Sequence, residues 1–289
     1  MTDHVIENRP RTGLAGGSPA ADTWAPKLVA LDIDGTILDH DQVLTDRVRA
    51  AVAAVADTGV HVVIATGRSL HETLPVLDRL GLVSGWAVCS NGSVTLRLDP
   101  LAESGYEVSD TVTFDPSNIL TLLREHLPTA LYALETGAGD FLLTAPFPPG
   151  ELEGPHIRVA GFEELAGQRA CRVVVRSPDH TSDDFMTLTK SLGMHGVNYA
   201  VGWTAWLDLA PDGVSKASAL ETIRGRLAVD QDATLAVGDG RNDIEMFGWA
   251  GRAVAMGNAT DDVKCHADLI TGTVSEDGLA EVLETLLER

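Results

Sequence analysis

Four aspartates follow two apolar runs, each of which predicts a buried strand. Asp32 and Asp34 come directly after the run 28–31, and Asp239 and Asp243 follow a similar run near the C-terminus. Each pair taken alone has a simpler interpretation, because Asp-x-Asp-Gly is a common turn and Asp243 could cap the next helix. Brought together, three or four carboxylates repel one another unless a hard cation neutralises them, and such oxygen ligands suit Mg²⁺. The two pairs together therefore predict a magnesium site where two strands end.

The residues between the first pair and residue 66 predict the elements that position this site. Apolar residues at helical spacing between residues 45 and 59 predict a helix, and the run 60–65 predicts a second strand. A strand, a helix and a strand in this order form a right-handed parallel unit, whose polar loops gather at the carboxyl ends of the strands. The loop after the second strand is therefore expected beside Asp32 and Asp34, and it consists of Thr66, Gly67 and Arg68.

The same alternation of strands and helices continues to residue 92 and resumes after residue 207. Ser69 and Glu72 match the capping box of a helix, in which Pro75 predicts a kink or a late start. Further strands are predicted at 86–89, 234–237 and 253–256, and further helices at 215–227 and 279–286.

The segment between these two parts has a different pattern. Its apolar alternation is patchier and is interrupted by turns rich in Pro and Gly, which predicts an inserted α+β domain rather than further parallel sheet. We therefore predict an α/β protein with a doubly wound parallel, Rossmann-like core of residues 26–92 and 208–289 and an inserted α+β domain of residues 93–207. Residues 1–25 have little to bury and are predicted to form a flexible leader.

The charge of the chain disfavours some partners. Its 21 basic and 42 acidic side chains give a formal net charge of −21, which argues against binding to nucleic acids or anionic membranes. No apolar run approaches the roughly 18 residues of a membrane helix, and residues 1–26 lack the apolar block of a signal peptide. We therefore expect a cytoplasmic protein, either a monomer or a homodimer.

The three cysteines do not form a recognisable motif. Cys89, Cys171 and Cys265 are widely separated and odd in number, which argues against a disulfide framework and against a zinc site. We predict three buried, unreactive thiols.

The segments around the aspartates resemble the motifs of a known family. Residues 31–38, with the sequence Leu-Asp-Ile-Asp-Gly-Thr-Ile-Leu, resemble the first motif of the haloacid-dehalogenase-like phosphatases. The other three motifs are matched in order by Ala65-Thr66-Gly67-Arg68, by Gly213-Val214-Ser215-Lys216 and by residues 238–246. Ser90-Asn91-Gly92, Met256-Gly257-Asn258-Ala259 and Glu276-Asp277-Gly278 are further similar to the Cof-like subfamily. Its members carry a large cap domain between motifs two and three, so the resemblance implies that residues 93–207 are a cap.

The resemblance also implies roles for the aspartates. Asp32 would be the nucleophile that forms an aspartyl-phosphate, and Asp34 would protonate the leaving alcohol and later deprotonate water. Mg²⁺ would be held by Asp32, by the backbone carbonyl of Asp34 and by Asp239, with Asp243 supporting the ion at close range.

A second set of residues would bind the phosphate. Lys216 begins a predicted helix, so its ammonium group and the free N–H groups of that helix could face one anion, although a lysine here could also be an ordinary surface residue. Thr66, Gly67 and Asn242 are expected near the phosphoryl oxygens, where Thr66 could equally be only a turn residue. For Arg68 three interpretations stay open: a phosphate contact, a contact with the cap, or an ion pair with one of the surplus carboxylates.

The expected function is the hydrolysis of a small organic phosphate monoester, such as a sugar phosphate. A sugar phosphomutase would use the same nucleophile, and a catalytically silent ligand-binding protein could share the fold. The cap would select the substrate, with Trp203, Trp206 and residues 135–140 as weak candidates for contacts.

Overall fold

The computed structural model describes residues 24–149, 151–152, 156–177, 179–181, 183–185, 187–188, 197–201 and 206–288, with the backbone alone for 197–201. The strands are β1 (Leu28–Leu31), β2 (His61–Ala65), β3 (Gly85–Cys89), β4 (Val94–Leu98), β5 (Tyr106–Thr111), β6 (Leu131–Glu135), β7 (Phe141–Leu143), β8 (Ile157–Val159), β9 (Arg172–Arg176), β10 (Val197–Val201), β11 (Trp206–Pro211), β12 (Thr234–Gly238), β13 (Arg252–Ala255) and β14 (Leu269–Ile270). The α-helices are α1 (Asp46–Asp57), α2 (Leu70–Leu80), α3 (Ser117–His126), α4 (Phe162–Ala166), α5 (Lys216–Arg226), α6 (Ile244–Trp249), α7 (Asp261–Lys264) and α8 (Gly278–Leu287).

The larger sheet has eight strands in the order β14-β13-β12-β1-β2-β3-β4-β5. The strands from β14 to β3 run parallel, and β1 lies at their centre between β12 and β2. Val29 and Leu31 of β1 pack with α1, α2 and α8, whereas Leu28 and Ala30 pack with α5 and α6 on the opposite face. Helices therefore cover both faces, which confirms the predicted doubly wound α/β core.

The core sheet extends beyond residue 92, where the sequence analysis ended it. β4 and β5 pair antiparallel with the edge strand β3, so residues 94–111 belong to the larger sheet. A single 3₁₀ turn at Ser90–Gly92 reverses the chain, with Ser90 at a φ of 50° and Asn91 at a φ of 53°. Because of this sharp reversal, the chain continues as β4, which runs antiparallel beside β3. At the other boundary, β11 continues in the smaller sheet to Pro211, so the predicted boundary at residue 208 also differs from the strand pairing.

The smaller sheet has six strands in the order β10-β11-β9-β6-β7-β8 and is antiparallel except for the pair β7 and β8. α3 and α4 cover one face, where Leu120 and Leu165 pack against Val173 and Leu207. The inserted segment is therefore an α+β unit with its helices on one side, as predicted.

The helix starts follow the capping residues. The Ser69 hydroxyl accepts a hydrogen bond from the backbone N–H of Glu72 at 3.4 Å, and the Glu72 carboxylate accepts one from the backbone N–H of Ser69 at 2.9 Å. α2 begins at Leu70, directly after this cap, so Pro75 does not delay its start. Thr45 caps α1 by accepting a hydrogen bond from the backbone N–H of Val48 at 3.1 Å.

Trp24, the first described residue, packs against the core. Its indole Nε1 donates to the backbone oxygen of Asp232 at 2.6 Å, and its ring packs on the core. The rest of the predicted leader, residues 1–23, lies outside the described residues. Within the described ranges, each helix is too short or too polar to cross a lipid bilayer.

Two of the three cysteines have the predicted environment. Cys89 and Cys171 are buried, and burial raises the pKa of each thiol to about 12. Cys265 is exposed, contrary to the prediction, because it follows the short surface helix α7.

Candidate active site

Lys216 connects the two aspartate pairs. Its Nζ donates to Asp32 Oδ1 at 2.5 Å and to Asp243 Oδ1 at 2.6 Å, and all three side chains are buried. Lys216 is the first residue of α5, which the Ser215 hydroxyl caps. Burial alone would lower the pKa of Lys216, but the carboxylates of Asp243 and Asp32 outweigh this effect and raise it. The lysine is therefore a permanent ammonium ion, and it is not the surface residue that its position alone would suggest.

Asp243 organises the loop that follows β12. Its Oδ1 accepts from Lys216, and its Oδ2 accepts from the backbone N–H groups of Asp239, at 3.0 Å, and Gly240, at 2.9 Å. The side chain is fully buried. Both oxygens of Asp243 are thus engaged in fixing the position of its neighbours.

Asn258 holds Asp239 against the loop that follows β1. Its Nδ2 donates to Asp239 Oδ2 and to the backbone oxygen of Gly35, both at 2.9 Å. Gly35 has a φ of 80°, and a Cβ at this position would lie 2.1 Å from Asp239 Oδ2. Only glycine permits this approach, so the sequence of the first motif determines how close the two strand ends come.

The carboxylates of the site lie close enough together to hold one metal ion. One oxygen from each of Asp32, Asp239 and Asp243 lies within 4.8 Å of the other two. Burial and the charge of Asp243 raise the pKa of Asp32 well above its usual value, and the same two causes raise the pKa of Asp239 to about 7. Lys216 supplies one positive charge for three carboxylates. The raised pKa values show that the negative charges of the carboxylates are only partly compensated. Hard oxygen ligands with such an excess of negative charge fit Mg²⁺.

Arg68 forms an ion pair with Asp34. Its Nε donates to Asp34 Oδ2 at 2.9 Å and its Nη2 to Asp34 Oδ1 at 2.5 Å, and Nη2 also donates to Gln42 Oε1. Partial burial alone would raise the pKa of Asp34, but the hydrogen bonds and the charge of Arg68 outweigh it and lower the pKa. Of the three interpretations left open for Arg68, this structure shows the pairing with a surplus carboxylate.

The loops after β2 and β12 bring the remaining predicted residues to the same edge of the sheet. Thr66 is fully buried, and its Oγ1 accepts a hydrogen bond from the backbone N–H of Arg68 at 3.1 Å. Asn242 Nδ2 donates to Asn91 Oδ1 at 3.0 Å. Gly67 and Asn242 line the same cleft as Asp32, Asp34 and Asp239.

Three charged residues of the smaller sheet lie over these loops. They are Glu135 on β6, Arg172 on β9 and Asp208 on β11. Their neighbours along each strand pack against α3 and α4, so these three side chains lie on the opposite face of the sheet. Arg172 Nη1 donates to the backbone oxygen of Gly67 at 2.6 Å, and Ser90 Oγ donates to Glu135 Oε1 at 2.6 Å. Arg172 also pairs with Glu135 at 3.2 Å and with Asp208 at 3.7 Å. Buried polar contacts therefore join the two sheets beside the site.

The cleft between the sheets has a volume of about 430 Å³ and acidic walls, to which Asp208 contributes from the smaller sheet. Asp208 Oδ2 accepts a hydrogen bond from Trp206 Nε1 at 2.9 Å. Its Oδ1 is buried and has no hydrogen bond among the described residues, and it forms an ion pair with Arg172 Nη1 at 3.7 Å. A buried acceptor without a hydrogen bond costs free energy, and a 3.7 Å ion pair compensates for this only in part, so this oxygen is suited to a donor that arrives with a ligand.

Known proteins share this combination of fold and motifs. The sequence profile of the haloacid dehalogenase-like hydrolases matches residues 29–283. The chain belongs to this family. A 5-amino-6-(5-phospho-D-ribitylamino)uracil phosphatase of Bacillus subtilis is 28% identical to it over 270 residues, which cover 89% of this chain and 94% of the relative. The pyridoxal phosphate phosphatase of Escherichia coli is 28% identical over 271 residues, which cover 89% of this chain and 97% of the relative.

A solved structure supports the same assignment. A phosphatase of the haloalkanoate enzyme superfamily from Bacteroides thetaiotaomicron matches with a TM-score of 0.76 at 26% identity, over 94% of this chain and 99% of that one. The family profile and the curated phosphatases together place this member of the haloacid dehalogenase-like family among the phosphoric monoester hydrolases. The resemblance seen in the sequence, including its Cof-like branch, is confirmed.

Sequence reasoning missed part of the site of this hydrolase. Asn258 and Asn91 were noted only as parts of family motifs, although their amide groups hold Asp239 and Asn242. Arg172 and Asp208 carried no signal at all, because a charged residue on a strand has no local pattern that shows what it faces. Trp206, a weak candidate for a substrate contact, instead holds Asp208; Trp203 lies outside the described residues.

Proposed function

We propose that this phosphatase hydrolyses a small phosphorylated metabolite in two steps, with Asp32 as the nucleophile and Mg²⁺ as the cofactor. The observation that carries the proposal is the convergence of Asp32, Asp239 and Lys216, which lie on three separate segments of the chain. A structural turn has no need to bury a lysine between two aspartates.

In the first step, Asp32 attacks the phosphorus atom. Lys216 holds Oδ1 of Asp32, so attack falls to Oδ2. A bond from Oδ2 to phosphorus forms as the bond from phosphorus to the ester oxygen breaks, and the alcohol leaves with a proton from Asp34. In the second step, water attacks the aspartyl-phosphate and gives its proton to Asp34. Inorganic phosphate leaves, and the Asp32 carboxylate is restored.

The residues that would hold Mg²⁺ are Asp32, Asp239 and the backbone oxygen of Asp34, with Asp243 close by. The bound ion would neutralise the negative charge that the phosphoryl group brings into an acidic cleft. Asp243 keeps Asp239 in place through the backbone, and Lys216 orients Asp32 and opposes the rise in its pKa. The phosphoryl oxygens would be bound by Thr66, Gly67 and Asn242, whose loops end at the same edge of the sheet as Asp32.

The organic part of the substrate would contact Asp208. Asp208 lines the cleft that also contains Asp32, and its Oδ1, which has no hydrogen bond and only a 3.7 Å ion pair with Arg172, accepts hydrogen bonds. The favoured substrates therefore carry hydroxyl or amino groups near the phosphate ester, as sugar phosphates do. The relatives that act on a phosphoribitylamino compound and on pyridoxal phosphate support a substrate of this size and polarity.

The test is a phosphate-release assay on p-nitrophenyl phosphate and a panel of phosphorylated sugars, polyols and vitamins, with Mg²⁺ and with EDTA. We expect turnover that EDTA stops and Mg²⁺ restores, and Asp32→Asn should reduce it by at least about 10³-fold. The variant is matched in size and shape, so an unchanged circular dichroism spectrum separates loss of the nucleophile from loss of the fold. Substantial activity in Asp32→Asn, or turnover without a metal ion, would falsify the mechanism.

A phosphomutase would use the same nucleophile, and its products distinguish it. Release of inorganic phosphate from a sugar phosphate without formation of an isomeric sugar phosphate supports the hydrolase. The expectations that the enzyme works in the cytoplasm and as a monomer or homodimer stay predictions.

A further inference from the structure

A second group of metal-ligating side chains lies where α2 meets the smaller sheet. One ligand atom from each of His71, Asp140 and His156 lies within 4.8 Å of the other two. The two imidazole rings are stacked, with centroids 3.5 Å apart and planes 5° apart, and His156 Nδ1 lies 3.3 Å from Asp140 Oδ1. None of these residues belongs to the site around Asp32.

The backbone brings the three residues together from distant parts of the chain. His71 is the second residue of α2 in the core, whereas Asp140 and His156 directly precede β7 and β8, which pair in parallel. Gly139 has a φ of 84°, and a Cβ there would lie 3.1 Å from His71 Cδ2. A glycine at this position therefore lets the turn before β7 approach the histidine closely.

The chemistry of the three ligands selects a class of metal ion. Two imidazoles and one carboxylate suit Zn²⁺ and the neighbouring divalent transition metals, whereas Mg²⁺ prefers oxygen ligands alone. Zinc–ligand bonds of about 2.0–2.1 Å place tetrahedral ligands about 3.3 Å apart. His156 and Asp140 are about half exposed, so their side chains have room to rotate, and one imidazole must turn out of the stacked arrangement for both rings to face one ion.

The surroundings leave room for the ion. His71 and His156 line a cleft of about 580 Å³ that is separate from the cleft at Asp32. Glu72 also lines this cleft, but its carboxylate is engaged with Ser69 at the start of α2. Asp78 lines this cleft too, but the carboxylate with an oxygen within 4.8 Å of both histidine ligand atoms is that of Asp140.

We propose that His71, Asp140 and His156 form a binding site for a divalent transition-metal ion, with Zn²⁺ as the expected occupant, which ties the core to the smaller sheet. Three protein ligands leave a fourth position for water. The site is independent of the proposed phosphatase mechanism, since the ion would bind away from the reacting groups.

The test measures Zn²⁺ binding to untagged, EDTA-treated and dialysed protein by isothermal titration calorimetry, in excess Mg²⁺ so that the carboxylate site is filled. We expect one Zn²⁺ ion per chain and, in a parallel titration, the visible absorption of tetrahedral Co²⁺. His71→Gln and His156→Gln should each weaken the Zn²⁺ affinity at least about 10-fold. Asp140→Asn should also weaken it, and the melting temperature should rise with Zn²⁺ in the parent protein but not in these three variants.

His126→Gln is the matched control, because His126 is exposed and its ring bonds only to its own helix, at Leu122. This variant should bind Zn²⁺ as the parent protein does. Phosphate release in Mg²⁺ alone shows that each variant has folded. If the Mg²⁺-saturated protein binds no stoichiometric Zn²⁺, or if the two histidine variants bind it as tightly as His126→Gln does, the proposal is wrong.

Discussion

Arg68 binds both carboxylate oxygens of Asp34, with Nε 2.9 Å from Oδ2 and Nη2 2.5 Å from Oδ1. The ion pair lowers the pKa of Asp34, which favours the form that accepts a proton from water in the second step. The first step needs the protonated form. In the proposed mechanism, Asp34 must therefore take up a proton from the solvent before the alcohol leaves.

Asp34→Asn should slow the release of poor leaving groups more than that of good ones. Asparagine cannot donate the proton that an alkoxide leaving group needs, whereas p-nitrophenolate leaves without one. We expect kcat for a sugar phosphate to fall by about 10²–10⁴-fold and kcat for p-nitrophenyl phosphate to fall less. Equal slowing of the two substrates, measured side by side, would rule out the acid role.

Lys216→Met should destabilise the fold as well as inactivate the enzyme. The substitution removes the only ammonium group that contacts Asp32 and Asp243 among the described residues, and it leaves both carboxylates buried. Breaking a buried ion pair in this way costs about 3–5 kcal/mol in the free energy of unfolding. Urea unfolding in EDTA measures the loss, with the exposed Lys27→Met as the control. A loss below 1 kcal/mol, on the order of a surface ion pair, would show that Lys216 is not needed for charge balance.

Mg²⁺ should stabilise the enzyme more at pH 8 than at pH 6. The pKa of Asp239 is raised to about 7 in the metal-free fold, whereas it is about 3.9 for an unfolded aspartate. Its proton therefore stabilises the fold at low pH, and this contribution to the free energy of unfolding is lost as the pH rises from about 3.9 to about 7. At pH 6, Mg²⁺ must displace that proton; at pH 8 it need not. Thermal melts with Mg²⁺ and with EDTA at both pH values measure the difference. Asp239→Asn should lose the trend, and an equal gain at both pH values in the parent protein would contradict the assignment.

Asp208→Asn should raise KM for the natural class of substrate without changing the turnover of p-nitrophenyl phosphate. The substitution keeps the shape of the side chain and replaces one acceptor oxygen by a donor, so a substrate hydroxyl loses its partner. We expect KM for the best sugar phosphate to rise about 10-fold, which corresponds to the loss of a hydrogen bond to a charged group. The same fall in kcat for both substrates would indicate a general disturbance of the cleft instead.

Cys265 should be the fastest thiol to react with iodoacetamide in the native protein. Cys89 and Cys171 are buried, and a pKa of about 12 keeps both protonated at pH 8, whereas the thiolate is the reactive form. Mass spectrometry of the labelled protein should show one modification, at Cys265, and Cys265→Ser should show none. Labelling of Cys89 at a similar rate would show that the core opens on the time scale of the reaction.

The sequence predicts the centre of the fold well and its edges poorly. Continuous apolar runs such as 28–31 specify buried parallel strands, and the polar residue that ends each run specifies where the chemistry lies. The sequence analysis places the hairpin of β4 and β5 in the inserted domain, because the residue pattern of the hairpin does not indicate which strand it pairs with. The hairpin joins the larger sheet through the turn Ser90–Gly92. Its pairing is a property of the turn geometry.

The same distinction applies to the site. The sequence predicts three members of the site individually, because each belongs to a motif that is recognisable locally: Asp32, Lys216 and Asp239. Arg172 and Asp208 reach the site because their side chains lie on the face of the smaller sheet opposite α3 and α4. The sequence does not show which face that is, because it depends on which neighbouring residues pack under the two helices. The pairing of Arg68 with Asp34 was one of three possibilities, because a flexible side chain does not reveal its partner in the sequence.

The long insertion has a consequence for synthesis on the ribosome. Asp32 and Lys216 are 184 residues apart, so at about 5–20 residues per second a growing chain carries Asp32 for roughly 10–40 s before its counter-charge is made. Throughout that interval β1 has β2 beside it but lacks β12, and its open edge is available to other chains or to a chaperone. The arrangement that keeps the site incomplete until residue 243 has been synthesised also delays any phosphate hydrolysis by the nascent enzyme.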